Sequence, residues 1–163
     1  MASPTVPVLR RVRTLAILEW LNIPLISWVL VGVLGMPPSP ANLTGLLLVL
    51  VVLAEGGAYW WLKFAQLTSR SPVPRGMGAY RVLARVNLAL LAGGAVVVGA
   101  SLAGGASGAR VWPGLALWVF AVLEHVNYFH VQLMHDTRAD LARLVRTRRL
   151  HRSHLARDLA RRI

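Results

Sequence analysis

Leu46-Leu47-Leu48-Val49-Leu50-Val51-Val52-Leu53 is an unbroken apolar run, and Glu55 follows two positions later. A helix on a soluble domain keeps a polar face, and this run has none. It sits inside a longer apolar segment, from about Leu43 to Leu67, which exceeds the roughly 20 residues that span a bilayer. Three other segments have the same character: 12–33, 79–103 and 111–134. The first ends at Gly35-Met36-Pro37-Pro38-Ser39-Pro40, a strong helix stop. The third contains Gly93, Gly94 and Gly99, residues that let membrane helices approach closely. In the fourth, Pro113 falls in the first turn, where its missing N–H is harmless.

Composition agrees with this reading. The chain has 163 residues, 56% of them hydrophobic and only 15% charged, and its mean hydropathy is +0.56. A soluble domain carries about 25% charged residues. The expected fold class is all-α: a polytopic membrane protein with four transmembrane helices in an up-down-up-down bundle. Residues 1–11 form an N-terminal tail, 12–135 the bundle, and 136–163 a basic amphipathic C-terminal helix. A cleaved signal peptide is the competing reading of the N-terminus. The full-length apolar segment and its Pro-rich end argue against it.

The chain is strongly basic, with 18 Lys+Arg against 6 Asp+Glu and a net charge of +12. Arg10, Arg11 and Arg13 precede the first span. Lys63, Arg70, Arg75, Arg81 and Arg85 lie in or beside the second connection, and nine arginines follow the fourth span. Only Arg110 falls in the external connections. The positive-inside rule places both termini in the cytoplasm. Small size and Ala/Arg/Leu-rich composition point to a prokaryotic inner membrane.

Half of the acids are in costly places. Asp136, Asp140 and Asp158 lie at or beyond the end of the fourth span, but Glu19, Glu55 and Glu124 fall inside spans. A charged side chain in hydrocarbon costs roughly 2.5–3.5 kcal/mol on insertion scales, and such residues usually face the bundle interior at a functional site. Helical spacing adds companions. Glu55 shares a face with Tyr59, Glu124 with Tyr128 and Asn127, and Glu19 with Asn22. Arg85 and Asn87 enter the third span beside them, and Arg85 is the expected counter-charge. Glu19, Glu55 and Glu124 are the candidate catalytic or proton-carrying groups. Arg85, Asn22, Tyr59, Asn87, Asn127, Tyr128 and Trp60 are the candidate ligand contacts. The bland alternative is a polar cluster that only specifies packing.

A short internal repeat is also visible. Glu55…Tyr59-Trp60 matches Glu124…Tyr128-Phe129, and Arg13-Thr14-Leu15-Ala16 matches Arg81-Val82-Leu83-Ala84. This aligns Glu19 with Asn87, as two hairpins around one central site would.

Metal chemistry is poorly supported. There is no Cys, which excludes disulfides, thiol catalysis and Cys-zinc sites. A di-iron bundle uses Glu-x-x-His motifs, but Glu124 is followed at that spacing by Asn127. A site built from Glu19, Glu55, Glu124 and His125 is the residual metal candidate. His130 and His135 suit the membrane boundary, and a bis-His haem has no second histidine-bearing span. No cofactor is implied. Walker, His-Glu-x-x-His and Gly-x-Ser-x-Gly motifs are absent.

Trp28 and Trp112 suit an outer aromatic belt, and Trp20, Trp60 and Trp61 the inner half. In the tail, Leu141, Leu144, Val145, Leu155, Leu159 and Ile163 share an arc that Arg148 and Arg152 interrupt. A bend near 147–153 is expected there, with Ser153 capping a second short helix. A basic amphipathic helix of this kind lies on anionic lipid. Nucleic acid is not an expected partner, since the tail has no aromatics to stack on bases.

Three functions fit. One is an intramembrane ligand or proton site open to the cytoplasm, serving a proton-coupled cation or an amphiphile, with transport requiring a homo-oligomer. The second is an enzyme using a protonated Glu as general acid on a lipid or isoprenoid. The third is an accessory subunit of a larger membrane complex, docking through its basic tail.

Overall fold

A computed structural model describes residues 6–133 and 150–161. The described chain is all-α, with several long hydrophobic helices consistent with a membrane-spanning bundle. Helix α1 is Val6–Ser27 and continues into a wide π-helical segment, Trp28–Val33. Helices α2 (Pro40–Ser69), α3 (Met77–Ala103) and α4 (Gly108–Phe129) follow, and a short α5 (His154–Ala160) closes the described chain. Among the described residues, three helices are long and apolar enough to cross a membrane: Val6–Val33, Pro40–Ser69 and Met77–Ala103. Helix α4 is not among them. Arg110, Pro113, Glu124, His125 and Asn127 dilute its apolar run.

The widened turn of α1 has a local cause. Pro24 lies inside the helix and cannot donate to the ladder. Ser27 Oγ donates back to the Ile23 carbonyl at 2.9 Å, and the next bonds are long-step, Leu34 N to Val29 O and Met36 N to Leu30 O, both 2.9 Å. The stop expected after Val33 is observed, with Gly35 at a φ of +60°.

Helix α2 is the centre of the molecule and packs against α1, α3 and α4. Its crossing with α4 is set by two glycines that face each other. A Cβ on Gly45 would fall 2.3 Å from the Gly114 carbonyl oxygen, and one on Gly114 would fall 2.3 Å from the Ala41 carbonyl. Small residues thus bring the two backbones together, as in membrane helix pairs. Farther along, Gly56 accommodates the Tyr128 ring, so the two helices run in the same direction. Of the three glycines singled out in the third span, only Gly94 makes a close approach, against Leu48 and Trp118; Gly93 and Gly99 face open space.

Asn42 clamps the start of this pair. It is fully buried, its Nδ2 donates to the carbonyls of Pro37 (2.9 Å) and Ala109 (3.0 Å), and its Oδ1 accepts from Gly114 N at 2.8 Å. Ser39 caps α2 by accepting from Asn42 N at 3.3 Å, and its hydroxyl donates to the Arg110 carbonyl. At the same end, Trp28 and Trp112 are both exposed.

The opposite end is sealed by α5. Helix α4 ends at Phe129, short of the 134 expected from apolarity. The chain turns extended there, and Val131 forms an antiparallel bridge with Arg152. Ser153 caps α5 as expected, accepting from Ala156 N at 3.0 Å, and its hydroxyl donates to the Tyr128 carbonyl. Leu155 is buried in the core cluster with Tyr59, Tyr80, Tyr128 and Phe129, and Leu159 packs against that cluster. The described part of the tail therefore spends its apolar face on the bundle rather than on lipid. Leu141, Leu144, Val145, Arg148 and Ile163 lie outside the described residues.

Candidate functional site

Helix α1 packs on α2 but hardly meets α4, and a cavity of about 640 Å³ lies along the gap. Helix α1 supplies Arg11, Leu15, Glu19, Asn22 and Ile26 to its wall. Helix α2 supplies Leu53, Tyr59, Trp60 and Lys63; α4 supplies Phe120, Glu124, Asn127 and Tyr128. The tail completes one end with His151, Ser153, His154, Leu155 and Arg157. The volume is in the range of small-molecule sites, but the shape is long. Val8 and Ile26 both line it, about 27 Å apart along α1 at 1.5 Å per residue.

Seven of the ten residues singled out from sequence therefore meet in one place: Glu19, Asn22, Tyr59, Trp60, Glu124, Asn127 and Tyr128. The expected Glu124–Asn127 neighbourhood on α4 is present, but the two tyrosines pair across helices. The Tyr128 hydroxyl donates to Glu19 Oε1 on another helix and ties α1 to α4. Asn127 Nδ2 reaches Glu124 Oε2 at 3.4 Å, and Asn127 Oδ1 accepts from Leu133 N at 2.8 Å. The second oxygen of Glu19, Oε2, is buried and has no hydrogen-bond partner. An orphaned buried acceptor costs roughly 1–3 kcal/mol, so this position is complete only when a donor or a proton occupies it.

The other three residues are elsewhere. Glu55 faces α3, where Asn87 Nδ2 donates to its Oε2 at 2.6 Å and the Tyr80 hydroxyl donates to its carbonyl at 2.7 Å. The expected convergence of three glutamates is thus corrected to a pair plus one separately satisfied acid. Arg85 is exposed and makes no ion pair with any glutamate, so it is not the expected counter-charge. Its position in α3 turns it away from both Glu55 and the cavity. The residual metal site fails as well. Among the described residues no three His, Cys, Asp or Glu side chains gather as a metal site. His125 is 3% exposed, stacked on Phe129, and does not line the cavity.

The internal repeat gains a geometric counterpart. Gly45 and Gly114, which meet at the α2/α4 crossing, are 69 residues apart, the same offset as Glu55 and Glu124 and as Tyr59 and Tyr128.

Asp158 is the residue that sequence reasoning passed over. It is 2% exposed, accepts from Tyr59 OH and Lys63 Nζ at 2.7 Å each, and has Arg161 at 3.9 Å. The signal was present: a lone acid in a basic helix, three residues after Leu155 and so on the edge of its apolar arc. Beside it, the His154 ring packs edge-on against Trp60 at 5.6 Å. Desolvation there, with the cations of Arg157 and Lys63, lowers its pKa to about 4.

The chain matches no model of a known protein family, no curated protein and no solved structure.

Proposed function

We propose that the chain is a small integral membrane protein whose α1/α4 cleft binds an amphiphile within the bilayer, with Glu19 and Glu124 as its polar centre. In this reading α4 is a fourth span, both termini are cytoplasmic, and the membrane is a prokaryotic plasma membrane. The basic residues around both termini and the second connection support that orientation. One observation carries the site: a buried carboxylate oxygen of Glu19 without a donor, on the wall of a long cavity that also holds Glu124. Leu15, Ile26, Leu53 and Phe120 line the same cavity and suit an apolar chain. A free metal cation or a cation path from the cytoplasm fits less well. Among the described residues no three His, Cys, Asp or Glu side chains gather to hold one. The apolar part of the lining favours lateral entry from lipid. Transport of the amphiphile would need a homo-oligomer to complete a path.

Trp60 and Phe120 on the same wall favour one further activity, general-acid chemistry by Glu19 or Glu124 on an unsaturated chain. Docking to a partner through the tail draws less support, because Leu155 and Leu159 are already engaged.

The test is native mass spectrometry of protein purified from membranes. The wild-type protein is expected to retain a bound amphiphile. Leu15→Trp, which fills the cleft, should release it, and the Glu19→Gln/Glu124→Gln double variant should weaken it. Equal occupancy in all three would contradict the reading.

A further inference from the structure

The cleft and the seat of α5 are built from the same side chains. Tyr59, Trp60 and Tyr128 all line the cavity. Each also holds the tail. The Tyr59 hydroxyl donates to Asp158 Oδ2 at 2.7 Å, and the Trp60 ring meets the His154 ring edge-on at 5.6 Å. The Tyr128 carbonyl accepts from the Ser153 hydroxyl. From the other side, Ser153, His154 and Leu155 lie on the cavity wall. The start of α5 is therefore a wall of the cleft, and lifting it away would open the cleft at that end.

This wall is separable from the rest. Helix α5 has seven residues, of which Leu155 and Asp158 are buried. An isolated helix needs about a dozen residues to hold itself together in water, so α5 depends on its docking. It is seated by Leu155 in the tyrosine cluster, by the Asp158–Lys63 pair and by the bond of Ser153 to Tyr128. Elements with so few buried attachments open before the core does. The α2/α4 pair does not rely on them, because Gly45, Gly114 and Asn42 join it at the far end.

Tyr128 links the wall to the middle of the cleft. Its carbonyl holds Ser153 and its hydroxyl holds Glu19. An occupant at the tail end touches His154 and Leu155 only while α5 is docked. Occupancy therefore favours docking, and docking holds the occupant. We infer that α5 is a lid on the aqueous end of the α1/α4 cleft. Docked, it shuts that end and leaves lipid as the way in; released, it opens the cleft to water. This rests on the reading of the cleft as a site within the bilayer and adds how its aqueous end is controlled.

The experiment is cysteine accessibility on the full chain in nanodiscs, since the chain has no native cysteine. The probe is a negatively charged methanethiosulfonate reagent, and mass spectrometry reads the modification rate. Asn22→Cys places a thiol on the cleft wall, about 21 Å beyond Val8 along α1. With α5 docked it should react slowly. Asp158→Ala, and separately Leu155→Asp, which puts a charge into the tyrosine cluster, should each speed that reaction at least tenfold. Leu21→Cys, on the outward face of α1 and 56% exposed there, should stay unmodified in every background. Equal Asn22→Cys rates with and without both release substitutions would overturn the lid, whether the shared rate is fast or slow. Modification of Leu21→Cys in the release variants would mean that α1 itself has come loose, and would overturn it too. The lid can fail in this way while native mass spectrometry still finds an amphiphile bound, so the two readings fall separately.

Discussion

Replacing Asp158 by alanine should release α5 from the bundle. Asp158 is 2% exposed and takes two charge-assisted contacts of 2.7 Å. Its removal strands two groups. Tyr59 is 0% exposed, so its hydroxyl has no water to turn to, and the Lys63 side chain is only 14% exposed. Breaking a buried ion pair from one side costs about 3–5 kcal/mol. Lys63 keeps some access to water, which places the loss at the lower end, about 3 kcal/mol, or roughly a hundredfold in the docking equilibrium at 1.4 kcal/mol per tenfold. Hydrogen exchange in nanodiscs reads this directly. The amides of Ala156 and Arg157, both bonded to Ser153, should lose roughly two orders of magnitude of protection, while α2 amides around Val49 keep theirs. The Asp158→Ala/Lys63→Ala double variant removes the stranded charge and should recover part of the loss. Unchanged α5 protection in Asp158→Ala would refute the idea that this buried contact holds the helix.

Gly114→Ala would place a methyl 2.3 Å from the Ala41 carbonyl and force α2 and α4 apart. A loss of at least about 1–3 kcal/mol is expected in thermal unfolding in detergent, and a neutral result would mean the helices do not cross there. Asn42→Ala should cost about 1–3 kcal/mol in the same assay, because the Ala109 carbonyl, whose helical donor position is taken by Pro113, loses the Asn42 amide. The docking of α5 should also depend on pH. His154 titrates near pH 4 when packed on Trp60 and near 6.5 when released. The released state takes up the proton first, so docking is strongest above pH 6.5 and weakens as pH falls towards 4. A spin label on Ala160→Cys, in a chain with no native cysteine, should become more mobile over that window, and His154→Gln should flatten the change.

The parts of the fold that were legible in the sequence are those set by one-dimensional patterns. The run from Leu46 to Leu53 has no polar face to misassign, and the Gly35–Pro40 stop is local chemistry. Glu19 and Glu124 were legible for the same reason, since an acid in an apolar helix stands out without any knowledge of neighbours. What could not be read was which helix each residue faces. Spacing gave Tyr128 to Glu124 and Tyr59 to Glu55, both on their own helices. Packing of α1 and α5 against the α2/α4 pair instead brings Tyr128 to Glu19 and Tyr59 to Asp158. Glu55 meets Asn87 of α3 and does not line the cleft. Asp158 was hidden by its surroundings: among so many arginines an acid reads as surface charge, and only the packing of α5 buries it.

The central claim, that an amphiphile occupies the α1/α4 cleft, is tested most directly by photolabelling. A long-chain alkyl diazirine added to the protein in nanodiscs should mark Leu15, Leu53 and Phe120 on the cleft wall, and Leu15→Trp should abolish the marks on Leu53 and Phe120. Labels confined to the outward faces, at Leu18, Leu21 and Val119, with the cleft residues unmarked, would contradict it.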